Sequence, residues 1–305
     1  MLEPRAHASR RPPGATTRRT QRMRFAMGGV AFELLAPDGS ELEPGERARR
    51  HCVPAAGAPV VAQVSCAVRR DPTLPATLAA DQVSRRALPG AVEVCSRQMV
   101  ARVERVASGR YMATARVAPG EQALEALLRG LSAELVAAEG GLLLHASGLD
   151  LDGAAVLFVG PSRAGKSTAT VLAGACFAYD HVAVVTVAGR AFAWGLPGGT
   201  RPAAPEADAA VLPLRAILRV RRGEGRPELV QSDPVGALFV LRESVESSDF
   251  SEAGEQARLH AVAQLAALVH VGEIRTVLGQ PLGPLLRGAF ADADGQSPAN
   301  DTGVA

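Results

Sequence analysis

Ala154-Ala155-Val156-Leu157-Phe158-Val159 runs without a break into Gly160-Pro161-Ser162-Arg163-Ala164-Gly165-Lys166-Ser167, and then into Thr168-Ala169-Thr170-Val171-Leu172-Ala173. The first six residues are apolar and β-prone, and they read as a buried strand. The last six are compatible with a helix. Between them lies the pattern G-x-x-x-x-G-K-[ST], which in a strand–loop–helix setting predicts a phosphate-binding loop. Glycines at 160 and 165 allow backbone angles that a Cβ would obstruct, so successive N–H groups can converge on phosphate oxygens. The helix start adds the positive end of its dipole. Lys166 is the expected partner of the β- and γ-phosphates, and the Ser167 hydroxyl is the expected Mg²⁺ ligand. Thr168 falls in the same first turn. Arg163, inside the loop, reads equally as a γ-phosphate contact or a solvated side chain.

The basic residues sharpen this reading. Lys166 is the one lysine among 33 basic residues; every other is arginine. A slim ammonium can thread between phosphates where a broad planar guanidinium cannot. A phosphate loop alone does not transfer phosphate, because an acid must hold the metal or accept a proton. Asp180 is the candidate, since it precedes the β-run Val182–Val187 and the intervening helix returns the chain to the loop. A strand-capping role is the plainer alternative. His181, beside Asp180, reads as a surface histidine, with partnership to a base as the alternative. His145, alone in an apolar run, reads as a packed and hydrogen-bonded histidine.

Upstream of the loop, Leu142–Leu149 and Ala154–Val159 flank Asp152-Gly153, a hairpin signal. The strand entering the loop should therefore run antiparallel to its predecessor. Residues 1–24 carry seven arginines against Glu3, with Pro4, Pro12, Pro13 and Gly14, and they read as a disordered basic extension. Residues 25–118 read as a small β-rich domain, in which Arg69-Arg70 and Arg85-Arg86 are loop ends or solvated faces. Residues 119–290 read as the phosphate-loop domain and 291–305 as a disordered tail. Within that domain, Leu124, Leu127, Leu128, Leu131, Leu135 and Val136 recur at helical spacing. Further on, Arg215–Arg222 and Glu273–Leu278 read as strands. Val235–Arg242, Ala253–Val269 and a segment ending near Ala289 read as helices. Arg201, Glu206 and Asp208 fall in a Pro/Ala/Gly-rich loop, read as solvated.

Composition excludes several classes. Apolar residues are 47% and charged residues 21% of 305, so a sizeable buried core is expected. A formal charge of +2 and 4% aromatics give no nucleic-acid surface. No apolar run reaches the roughly 20 residues that span a bilayer, so no membrane role is expected. Cys52, Cys66, Cys95 and Cys176 lack metal or disulfide spacing, which fits a cytoplasmic, reducing location. A transporter-type ATPase is disfavoured, because Gly195-Leu196-Pro197-Gly198-Gly199 is proline-broken and misplaced as its signature.

Leu144-His145-Ala146-Ser147, the Asp152-Gly153 turn, and Val156 through Gly160-Pro161-Ser162 to Gly165-Lys166-Ser167-Thr168 together resemble the C-terminal domain of HPr kinase/phosphorylase. The chain is closer still to the HPr-kinase-like proteins of peptide-modification cassettes, of the SynChlorMet type. The resemblance covers about residues 119–290, including Pro213–Val220. It implies an α/β fold: a P-loop kinase domain with a mixed parallel and antiparallel sheet, as in phosphoenolpyruvate carboxykinase. It also implies Mg·ATP-dependent phosphorylation of a serine in an acceptor peptide or small protein, with homo-oligomerisation left open. By this resemblance His145 rises to an active-site member beside Lys166 and Asp180. Where relatives carry two adjacent acids, this chain has Tyr179-Asp180-His181. The Leu-Glu-Ile-Arg-Gly signature of true HPr kinases has no counterpart. A catalytically weakened nucleotide-binding module is therefore the alternative.

Overall fold

The computed structural model describes residues 20–36, 42, 44–75, 83–197, 210–246 and 251–291. Two sheets, each mixing parallel and antiparallel pairs, form the frame of an α/β protein. The first contains β1 (Gln21–Met27), β2 (Val30–Ala36), β3 (Ala62–Arg70), β4 (Ser84–Leu88), β5 (Ala91–Cys95), β6 (Met99–Ala107) and β7 (Arg110–Val117). A short helix, α1 (Glu46–Arg49), lies between β2 and β3. The spatial order is β1-β2-β3-β7-β6-β5-β4.

β1 shortens the expected extension. Arg22 and Arg24 alternate with Met23 and Phe25, and both guanidiniums reach Glu33 on β2, at 3.5 and 2.6 Å. Composition signals the charge of this segment, whereas the alternation is what lets it pair. Residues 1–19 lie outside the described residues, as do 292–305. Arg85 is likewise in strand β4, and its Nε lies 3.1 Å from Glu134 Oε1.

Helix α2 (Glu121–Ala138) follows, with the expected leucines fully buried. They join one cluster with Phe32, Leu34 and Met99 of the first sheet and with Ala183, Val185 and Trp194 of the second. One helix thus supplies apolar surface to both sheets. Trp194, the single tryptophan, is fully buried here, and its Nε1 donates to Pro59 O at 3.2 Å. Trp194→Ala is expected to cost about 3–5 kcal/mol, read from denaturant unfolding by circular dichroism. A loss below about 1 kcal/mol, the effect of an average substitution, would refute its role in joining the sheets.

The second sheet begins with β8 (Leu142–Leu151) and β9 (Ala154–Val159), followed by α3 (Lys166–Ala173), β10 (Cys176–Ala178), β11 (His181–Val187) and β12 (Arg190–Gly195). After them come β13 (Val211–Arg222), β14 (Glu228–Gln231), α4 (Pro234–Ser244), β15 (Val245–Glu246), α5 (Glu252–Leu268), β16 (His270–Thr276) and α6 (Gly283–Phe290). β8 and β9 pair antiparallel, as the hairpin signal requires. Asp152 and Gly153 hold φ of 54° and 84°, the left-handed pair of a two-residue turn. β9 then runs parallel to β13, and β13 parallel to β16. The downstream elements expected from the sequence correspond to β13, α4, α5, β16 and α6. Caps mark two of these starts: Asp233 accepts from Gly236 N at 2.7 Å and Ser251 from Gly254 N at 3.1 Å.

Alternation along β8 sorts its two faces. Leu142, Leu144 and Ala146 pack against α4 and α5. On the opposite face, Leu143 meets the α2 cluster, while Leu149 and Leu151 pack beneath α3 and α6. Residues 145 and 147 of β8 lie between these two groups, on the face that carries α3. Among the described residues, no helix is long and apolar enough to cross a membrane.

Candidate functional site

β9 ends at Val159 and α3 begins at Lys166, so the sequence motif forms a loop between a buried strand and a helix N-terminus. Gly160 and Gly165 hold φ of 141° and 100°, the freedom expected of them. A Cβ on Gly160 would sit 3.3 Å from that of Ala164. Pro161, Ser162, Arg163, Ser167 and Thr168 are exposed, and Ala164 and Gly165 are half-buried. Arg163 holds φ of 65°, a left-handed conformation that costs a non-glycine residue of order 1 kcal/mol.

Lys166 is nearly buried. Its Nζ donates to Gly160 O at 2.9 Å and Pro161 O at 3.3 Å, which ties the two ends of the loop. Burial lowers the ammonium's pKa, and the carboxylates of Asp180 and Glu246 act in the opposite direction. Both acids are therefore close enough to act on its charge. The helix behind the lysine is fixed to the sheet by Thr170 Oγ1, which lies 2.7 Å from Ser147 Oγ on β8. That contact is two residues beyond His145 on the same face.

Asp180 occupies the turn between β10 and β11 with φ of 65°. Its carbonyl accepts from Ala146 N at 3.1 Å, which holds the turn against β8. An aspartate tolerates this left-handed geometry better than most residues. From this turn the carboxylate of Asp180 is near enough to act on the charge of Lys166.

Strand register then assembles a second group. His181 of β11 lies directly across from His145 of β8, and Glu246 of β15 lies across from Leu143. Directly paired residues share a face, as do residues two apart on one strand. All three side chains therefore converge on the α3 side of the sheet. His145 Nδ1 lies 3.4 Å from Glu246 Oε1, and His181 Nδ1 lies 3.0 Å from Glu246 Oε2. Burial of Glu246 works to raise its pKa, but the hydrogen bonds and charge of His145 and His181 prevail and hold it down to about 2.

This corrects one reading of the sequence. His181 is not a surface residue but a half-buried partner of the carboxylate, with 25% of its side chain exposed. His145 is hydrogen-bonded, as expected of a packed histidine, and a third of its side chain stays exposed. Glu246 had no motif to announce it. β15 is only two residues long, and its place comes entirely from pairing with β8. Arg201, Glu206 and Asp208 lie outside the described residues.

Compared with protein-family models and with curated proteins, the chain matches none of them.

Proposed function

We propose that this chain is an ATP-dependent serine kinase of the HPr-kinase-like type, acting in the cytoplasm on a peptide or small protein. The observation that supports it is the setting of Lys166. The chain's one lysine sits in a strand–loop–helix, with Asp180 and Glu246 both near enough to act on its charge. The loop residues Gly160–Ser167 fit a nucleotide's phosphates, because exposed backbone at a helix N-terminus favours anions. Lys166 would exchange its loop carbonyls for phosphate oxygens. Ser167 and Asp180 are the residues to hold Mg²⁺, which supplies charge neutralisation at the β- and γ-phosphates. Asp180 would also receive the proton of the acceptor hydroxyl as its oxygen bonds to the γ-phosphorus and ADP departs. His145 would border the acceptor side.

A second reading, a nucleotide-binding regulatory module, is favoured by one feature: Tyr179-Asp180-His181 holds a single acid where the family it resembles carries two adjacent ones. The two readings separate in one experiment. The full chain is incubated with ATP labelled at the γ-phosphate and with peptides encoded by neighbouring genes. The kinase reading expects label on a serine of one peptide. Tight ATP binding without any transfer would overturn it and leave the regulatory module.

A further inference from the structure

We infer that His145, His181 and Glu246 form a binding site for one divalent transition-metal ion of the Zn²⁺ type, distinct from the Mg²⁺ expected at Ser167. The inference does not depend on the nucleotide reading. Two imidazoles and one carboxylate converge from three neighbouring strands of a single sheet. Their candidate ligand atoms all lie within 4.8 Å of one another. The two closest approaches, 3.0 and 3.4 Å, bracket the distance between ligands on a tetrahedral ion. With metal–ligand bonds of about 2.0–2.1 Å, that separation is about 3.3 Å.

Donor chemistry selects the class of metal. Imidazole nitrogens suit Zn²⁺, Co²⁺ and Ni²⁺, whereas Mg²⁺ and Ca²⁺ take oxygen ligands. Three strands of one sheet also fix the ligands without help from a mobile loop, the support a pre-formed site needs.

Coordination number says what kind of site it would be. Structural zinc is closed by four protein ligands, while catalytic zinc keeps one position open. Here three protein ligands are present, and the side chains of His145, His181 and Glu246 remain 33%, 25% and 34% exposed. The fourth position would take a water or the hydroxyl of an acceptor approaching the phosphate loop.

The test uses the full chain, stripped with a chelator and titrated separately with Zn²⁺ and Co²⁺. One equivalent of each should bind, and Co²⁺ should give the visible d–d bands of a tetrahedral nitrogen–oxygen site. His145→Ala, His181→Ala and Glu246→Gln should each weaken binding by more than about tenfold, since even outer partners of a ligand contribute that much. Lys166→Ala should still bind one equivalent of the metal, which separates this site from the nucleotide site. Excess Mg²⁺ should not displace the ion. Where a variant fails to fold, paramagnetically shifted ring-proton signals of the Co²⁺ protein count its imidazole ligands directly, and two are expected. Absence of stoichiometric binding would overturn the proposal, leaving a purely hydrogen-bonded His–Glu–His cluster. So would binding that survives all three substitutions, or a Co²⁺ protein with no shifted imidazole signal.

Discussion

Lys166→Ala is expected to weaken ATP binding by about 10- to 100-fold, measured by calorimetric titration. The magnitude follows from hydrogen bonds to charged groups, worth about 1.5–3 kcal/mol each. The substitution removes the one ammonium in the chain and the cross-loop tie to Gly160 O and Pro161 O. On the proposed reading the lysine serves the β- and γ-phosphates, so the affinities for ATP and AMP should converge in the variant. Lys166→Arg should not restore the wild-type value despite its charge. Lys166 is almost fully buried between loop and helix, and a planar fork needs more room than an ammonium. An ATP affinity unchanged by Lys166→Ala would sink the phosphate-loop reading itself.

Asp180→Asn should lower the rate of phosphate transfer by about 100-fold or more, the usual contribution of a general base, with ATP affinity changed far less. The choice of asparagine matters. At φ of 65° the backbone is left-handed, a conformation that asparagine shares with aspartate, whereas alanine would be strained. The variant therefore removes a charge without disturbing the turn that Ala146 N holds in place. Single-turnover measurement separates transfer from binding. Retention of the wild-type rate would remove Asp180 from the mechanism and shift attention to Glu246, the other acid near Lys166.

Much of the fold could be read along the chain. The Asp152-Gly153 hairpin, the leucine stripe of α2 and the helices starting at Asp233 and Ser251 all rest on contacts between near neighbours. Side-chain periodicity and local caps record such contacts directly. Four short strands had no comparable record. β4 presents arginines, β10 has three residues, β14 four and β15 two, too few for alternation to register.

For the site, the loop Gly160–Ser167 belongs wholly to the sequence, because one strand, one turn and one helix start suffice to build it. The position of Asp180 near Lys166 follows for a related reason: α3 is short, so the chain soon comes back toward the loop. The group around His145 was not legible. His145 and His181 are 36 positions apart, and Glu246 follows 65 positions after His181. What brings them within hydrogen-bonding distance is the register of β11 and β15 on β8. A shift of one residue would turn any of them to the opposite face. Register is settled by burying Leu142, Leu144 and Ala146 against α4 and α5, apolar contacts between segments distant in sequence. The chain's own order therefore determined the strand–loop–helix and the place of its lysine. Tertiary packing alone decided that two histidines and a glutamate stand beside it.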